Sequence, residues 1–130
     1  MAVLHKREDA FVYSTLDIWL GIILGGIAGC IATALVAQAT KGVPLAKIAG
    51  SPGKHLWAVI FAIPIPLLLS IGGGEAIGYI LALVWLVMAP TVAAKIYFGP
   101  KELSWGTLMT FHVGYAVVAL VVYLIVVNAI

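Results

Sequence analysis

The sequence predicts an all-α fold of about four hydrophobic, membrane-type helices in an antiparallel arrangement. Three observations lead there. Apolar residues make up 64% of the 130 residues and charged residues 9%, against about 45–50% and roughly 25% in an ordinary soluble domain. Mean hydropathy is +1.18. A chain this short buries only about two-thirds of the surface that its unfolded form exposes, so the surplus apolar surface must face lipid or other copies of the chain. Finally, the apolar runs are long, almost free of charge, and separated by short Gly- and Pro-rich breaks. The length suggests a single hydrophobic helical domain, residues 1–130.

Residues 1–13 hold His5, Lys6, Arg7, Glu8 and Asp9 and read as a polar arm. Ser14 followed at i+3 by Asp17 is a capping-box-like start, with an acid in the first turn. The first helix is expected over 15–39. From Ile18 to Thr40 there is no formal charge, enough for a span of about 20 residues. Lys6 and Arg7 resemble the n-region of a signal peptide, and Ala37-Gln38-Ala39 resembles a cleavage site. Glu8, Asp9 and Asp17 interrupt that pattern, and the apolar run exceeds the usual ~7–15 residues. The segment is therefore read as a retained helix.

Lys41-Gly42-Val43-Pro44 breaks the first helix, and 41–55 reads as a loop with Lys41, Lys47, Lys54 and His55 and no acid. Ser51-Pro52-Gly53 is a turn signal. The second helix, 56–71, is short, about 24 Å against a ~30 Å hydrocarbon core. Pro64 and Pro66 remove two amide donors from its middle, so it is expected to be broken. After Gly72-Gly73-Gly74, the third helix is expected over 75–97 with a kink at Pro90, ending at Gly99-Pro100. Ser104 is placed to cap the fourth, 105–130. The Val-rich stretch 113–127 has strand propensity, but it is too long for one strand, and an isolated strand in lipid leaves its backbone unpaired. Short connections make neighbouring helices antiparallel.

With four spans, Lys41, Lys47, Lys54, Lys95 and Lys101 fall on one side, against Lys6 and Arg7 on the other. The positive-inside rule then places both termini outside. Trp19, Trp57 and Trp105 lie near helix starts, as interfacial anchors do, whereas Trp85 is mid-helix and is expected to pack.

The clearest motif is the spacing of small residues. Gly21, Gly25 and Gly29, continued by Thr33 and Ala37, form one stripe on the first helix, widened by Gly26, Cys30 and Ala34. Gly74, Gly78 and Ala82 repeat the pattern on the third helix, and Gly106, Thr110 and Gly114 on the fourth. Glycine lets a second helix backbone approach closely. Gly21, Gly25, Gly29, Gly78 and Gly114 are thus the candidate packing residues, either within one chain or between copies. The first-helix stripe is expected to meet other subunits or the third helix.

Chemistry has little to work with. His112 is the ionisable residue deepest in a span. It lacks a matched second ligand, so a histidine hydrogen-bonded to a hydroxyl or carbonyl is the expectation, with no cofactor and no metal. Glu75 reads as a turn charge and Cys30, the lone cysteine, as a packing residue. There is no GxSxG, P-loop, HExxH or paired carboxylate, and the spans hold no acid, Lys or Arg of the kind that ion exchangers require. A non-enzymatic role is expected. Lys41, Lys47 and Lys54 form the one basic cluster, expected to face anionic lipid or, repeated over an array, the phosphates of DNA.

Small size, apolar helices, the Gly21, Gly25, Gly29 stripe and the shortage of charge together resemble the highly hydrophobic coat proteins of spindle-shaped archaeal viruses, which are thought to enter the host membrane before virion assembly. The resemblance is one of general character over the whole chain. It implies homo-oligomeric self-assembly around a genome, in a virion, with no catalytic residue. The rival expectation is a small accessory subunit of a larger membrane complex, of respiratory or oxygenase type; a channel or transporter is a further alternative.

Overall fold

The computed structural model describes residues 15–71, 76–98 and 103–129. The expectations on the arm 1–13, on Gly72, Gly73, Gly74 and Glu75, and on Gly99, Pro100, Lys101 and Glu102 lie outside those residues. The described chain is helical, with no strand among the described residues. In order it forms α1 (Thr15–Lys41), α2 (Leu45–Ala49), α3 (Pro52–Ala62), α4 (Ile65–Ile71), α5 (Ala76–Ala93, continued by a π-helical turn, Ala94–Phe98) and α6 (Trp105–Ala129). Among the described residues, four stretches are long and apolar enough to cross a membrane: Thr15–Lys41, Pro52–Ile71, Ala76–Tyr97 and Trp105–Asn128.

Local chemistry sets the boundaries. α1 runs two residues beyond the expected Ala39 and ends at Gly42, whose φ of +68° only glycine adopts freely. The Gly42 amide donates to the Gln38 carbonyl (3.0 Å) and the Val43 amide to that of Ala37 (3.4 Å); the first of these, from a left-handed glycine, is an αL-type ending. The stretch 41–55, expected to be a loop throughout, contains the short helix α2. It also gives its last residues to α3, which starts at Pro52 rather than near Leu56. Proline is favoured at the first helical position because its missing N–H is one the helix leaves unpaired. At the other end, Ser104 caps α6, its Oγ accepting the Thr107 amide at 3.1 Å.

The second span is broken where the prolines fall. α3 stops at Ala62, Ile63 and Pro64 form a turn, and α4 resumes at Ile65. Pro64 cannot give Ile60 its i+4 donor, and the Ile63 amide takes that carbonyl at 3.2 Å instead. The Phe61 carbonyl, beside the same break, accepts the Trp85 indole N–H of α5 at 2.8 Å. Trp85 thus ties the third span to the discontinuity in the second.

α1 packs most extensively on α6 and next on α3; α5 packs on α4 and α6. The spans therefore form a closed ring in chain order, first to second to third to fourth and back to the first. Gly21 lies against Tyr123 and Val127, Gly25 against Ala119, and Gly29 against Tyr115. Rising numbers on α1 meet falling numbers on α6, so the two run antiparallel. The main core gathers Ile22, Cys30, Ala62, Ile65, Leu86, Tyr115 and Leu120, and a smaller one, Ala37, Leu108 and Phe111, closes the end near α2.

Candidate functional site

The small-residue stripe of α1 is a seam inside this chain. Its buried face is Gly21, Ile22, Gly25, Gly26, Gly29, Cys30, Thr33, Ala34 and Ala37. A Cβ at Gly25 would lie 2.7 Å from the Ala119 carbonyl oxygen, and one at Gly29 would lie 2.5 Å from the Tyr115 ring. A Cβ at Gly26 would lie 2.6 Å from the Cα of Val59. Adjacent helical residues point about 100° apart, so Gly25 admits α6 and Gly26 admits α3. The partner of the Gly21, Gly25, Gly29 stripe is thus the fourth span and not the third. In this fold these glycines are covered and offer no contact to a second copy.

The remaining glycines divide. Gly78 is buried in α5 with Ala82. Gly114 is half-buried, and a Cβ there would come within 2.9 Å of Val36. Gly106 and Thr110, expected to share that stripe, are exposed; a Cβ at Gly106 would meet only the Ser104 hydroxyl, at 4.0 Å. The buried face of α6 is instead Leu108, Phe111, His112, Tyr115, Ala116, Ala119 and Tyr123. Large side chains on α6 fill the space that glycines open on α1, and the sequence pattern of α6 alone does not reveal this.

His112 and Tyr115 are two of the polar side chains on that buried face. His112 Nδ1 lies 2.8 Å from Thr91 Oγ1, and the Thr91 hydroxyl is 2.6 Å from the Val87 carbonyl. A hydroxyl carries one proton. Given to the Val87 carbonyl, it leaves the oxygen to accept from the imidazole. The expected hydroxyl partner of His112 is therefore Thr91, just after the Pro90 kink. The Tyr115 hydroxyl donates to the Ala58 carbonyl at 2.5 Å, which joins α6 to α3. No group of three or more His, Cys, Asp or Glu among the described residues could hold a metal ion.

A cavity of about 920 Å³ brings these polar groups together with the basic loop. Lys41, Lys47 and Lys54 line it and are exposed, so they form its mouth. Trp57, Phe61, Leu108 and Phe111 form apolar walls, and the buried Cys30, Thr33, His112 and Tyr115 form the floor. Among the described residues, no carboxylate lines it. Lys95 is at the same end, its ammonium donating to the Leu103 carbonyl at 2.6 Å and lying 6.0 Å from the centre of the Trp105 ring. Sequence reasoning found the three lysines but missed the walls and floor. The available signal was that His112 and Tyr115, three residues apart, share one helix face and are the polar side chains deepest in the fourth span.

Comparison with known protein families, curated proteins and solved structures finds no match to this chain.

Proposed function

We propose that this chain is a non-enzymatic, membrane-embedded structural protein that acts through its outer apolar surface, and that it assembles with copies of itself into a coat of the kind formed by the hydrophobic proteins of spindle-shaped archaeal viruses. One observation carries the reading. Large apolar side chains are exposed on all four spans. On α6 they recur every turn as Val113, Val117, Val121 and Ile125. Such surfaces mark lipid or protein contact in a chain of this size. Copies packed side by side would cover these faces, and Lys41, Lys47 and Lys54, repeated in each copy, would present a positive wall to a genome.

A second reading, an accessory subunit of a larger membrane complex, is favoured by one fact: the small-residue stripe of α1 is used within the chain. An assembly of copies must then rest on the broader outer faces. Expression of the chain alone, followed by detergent removal and negative-stain microscopy, separates the two. Ordered filaments or particles are expected of a coat protein. A species that stays monomeric in detergent and gives no order on its removal supports the accessory subunit and rejects the coat.

A further inference from the structure

We propose that the cavity between the basic loop and the α1–α3–α6 interface is a binding site for one anionic membrane phospholipid, its phosphate at Lys41, Lys47 and Lys54 and its acyl end against Trp57, Phe61 and Phe111. Three features fit that occupant and no simpler one. The mouth carries three cations and, among the described residues, the lining carries no carboxylate, so a negative group is attracted to the lysines. The walls are aromatic and aliphatic, which a bare inorganic anion cannot use but an acyl chain can. The volume, about 920 Å³, falls within the roughly 300–1,000 Å³ of small-molecule sites. The position adds a fourth. The lysines sit where the spans end, at headgroup level, and Lys and Trp are the residues that anchor to that layer. Positive mouth and apolar wall run in the same order as headgroup and chain. The site is independent of what covers the outer surface, so it stands under either reading of the function.

The test uses the full chain in phosphatidylcholine vesicles that contain brominated phosphatidylglycerol or, at equal mole fraction, brominated phosphatidylcholine. Bromine quenches indole fluorescence at short range, and subtracting Trp57→Phe isolates the Trp57 signal. The expected result is stronger quenching of Trp57 by the anionic lipid. Each Lys→Gln change should weaken that preference about fivefold, whereas Lys→Arg at all three positions should keep it. Gly53 lines the mouth, and a Cβ there meets nothing within 4 Å. Gly53→Phe should therefore fold, keep every charge and abolish the preference by blocking entry. Equal quenching by the two lipids overturns the proposal. So does a preference that survives Gly53→Phe, since lipid is then merely drawn to the surface charge. Loss of the preference on adding inorganic phosphate, with ionic strength held constant, overturns it as well, in favour of a bare anion site.

Discussion

Gly25 and Gly26 are neighbours in sequence with separate tasks, and each can be tested by the smallest side chain. Alanine improves helix propensity over glycine by up to about 1 kcal/mol, and overpacking costs typically 1–3 kcal/mol. Which effect wins depends on what the new Cβ meets. At Gly25 it meets the Ala119 carbonyl and at Gly26 the Val59 Cα, both backbone atoms, which move only if a whole helix moves. Gly25→Ala and Gly26→Ala are therefore expected to destabilise the fold by about 1–2 kcal/mol net. Gly106→Ala, with open space around it, should be neutral or slightly stabilising. Helical circular dichroism during titration of the detergent-solubilised protein with dodecyl sulfate measures all three. Equal midpoints for Gly25→Ala and Gly106→Ala would refute the seam.

Trp85 shows how a single side chain can tie one span to a break in another. Its N–H reaches the Phe61 carbonyl across to the second span. Trp85→Phe keeps most of the ring volume and removes the donor. A loss of about 0.5–1.5 kcal/mol is expected, in the same titration. A null result would mean that another donor or water takes over the carbonyl.

At the scale of elements, helix ends decide how the spans are spaced. Gly42 ends α1 with φ +68°, and an L-residue in that region costs roughly 1–2 kcal/mol. Nothing lies within 4 Å of a Cβ built there, so packing does not contribute. Gly42→Ala is expected to lose about 1 kcal/mol, with Gly42→Asn losing less because asparagine tolerates the left-handed region. Identical losses for the two would point away from backbone conformation. These elements also show what the sequence makes legible. Uncharged runs bounded by Gly42, Pro44 and Ser104 give the long helices, because the bilayer length and the cost of unpaired backbone leave few alternatives. Pro64 and Pro66 give the break in the second span. The start of α3 at Pro52 was missed because proline serves both turns and first helical turns. The identity of the helix facing Gly21, Gly25 and Gly29 was missed for another reason. Small residues advertise a close approach, but the residues that fill it, Tyr115 and Tyr123, look like any aromatic on an apolar helix. Likewise Lys41, Lys47 and Lys54 were legible as a cluster, whereas the cavity behind them arises only when α2 folds against the ends of α1 and α6.

At the scale of the whole molecule, the asymmetry of charge sets orientation. Ala94 and Leu103 line the same cavity as Lys41, Lys47 and Lys54, so the connection after α5 and the loop after α1 lie at one end of the bundle. Lys95 belongs to that end too, held by the Leu103 carbonyl. Each basic residue near an anionic leaflet contributes about 1 kcal/mol, and Lys41, Lys47, Lys54 and Lys95, gathered at this end, are expected to favour its retention in the cytoplasm. The break in the second span does not shorten it below a crossing, because α3 and α4 together remain one stretch of 20 residues, Pro52–Ile71, long and apolar enough to cross a membrane. Cys30, the one cysteine, is buried, so Cys30→Ala provides a background in which new thiols report accessibility. Gly53→Cys marks the basic end, and Thr15→Cys, at the start of α1, marks the opposite one. In intact cells a membrane-impermeant maleimide should label Thr15→Cys and leave Gly53→Cys unlabelled until the membrane is permeabilised. The reverse pattern would mean that the lysines face outward. The attraction at the basic end would then have to come from a partner other than the cytoplasmic leaflet, and the three lysines would be acting against the positive-inside bias.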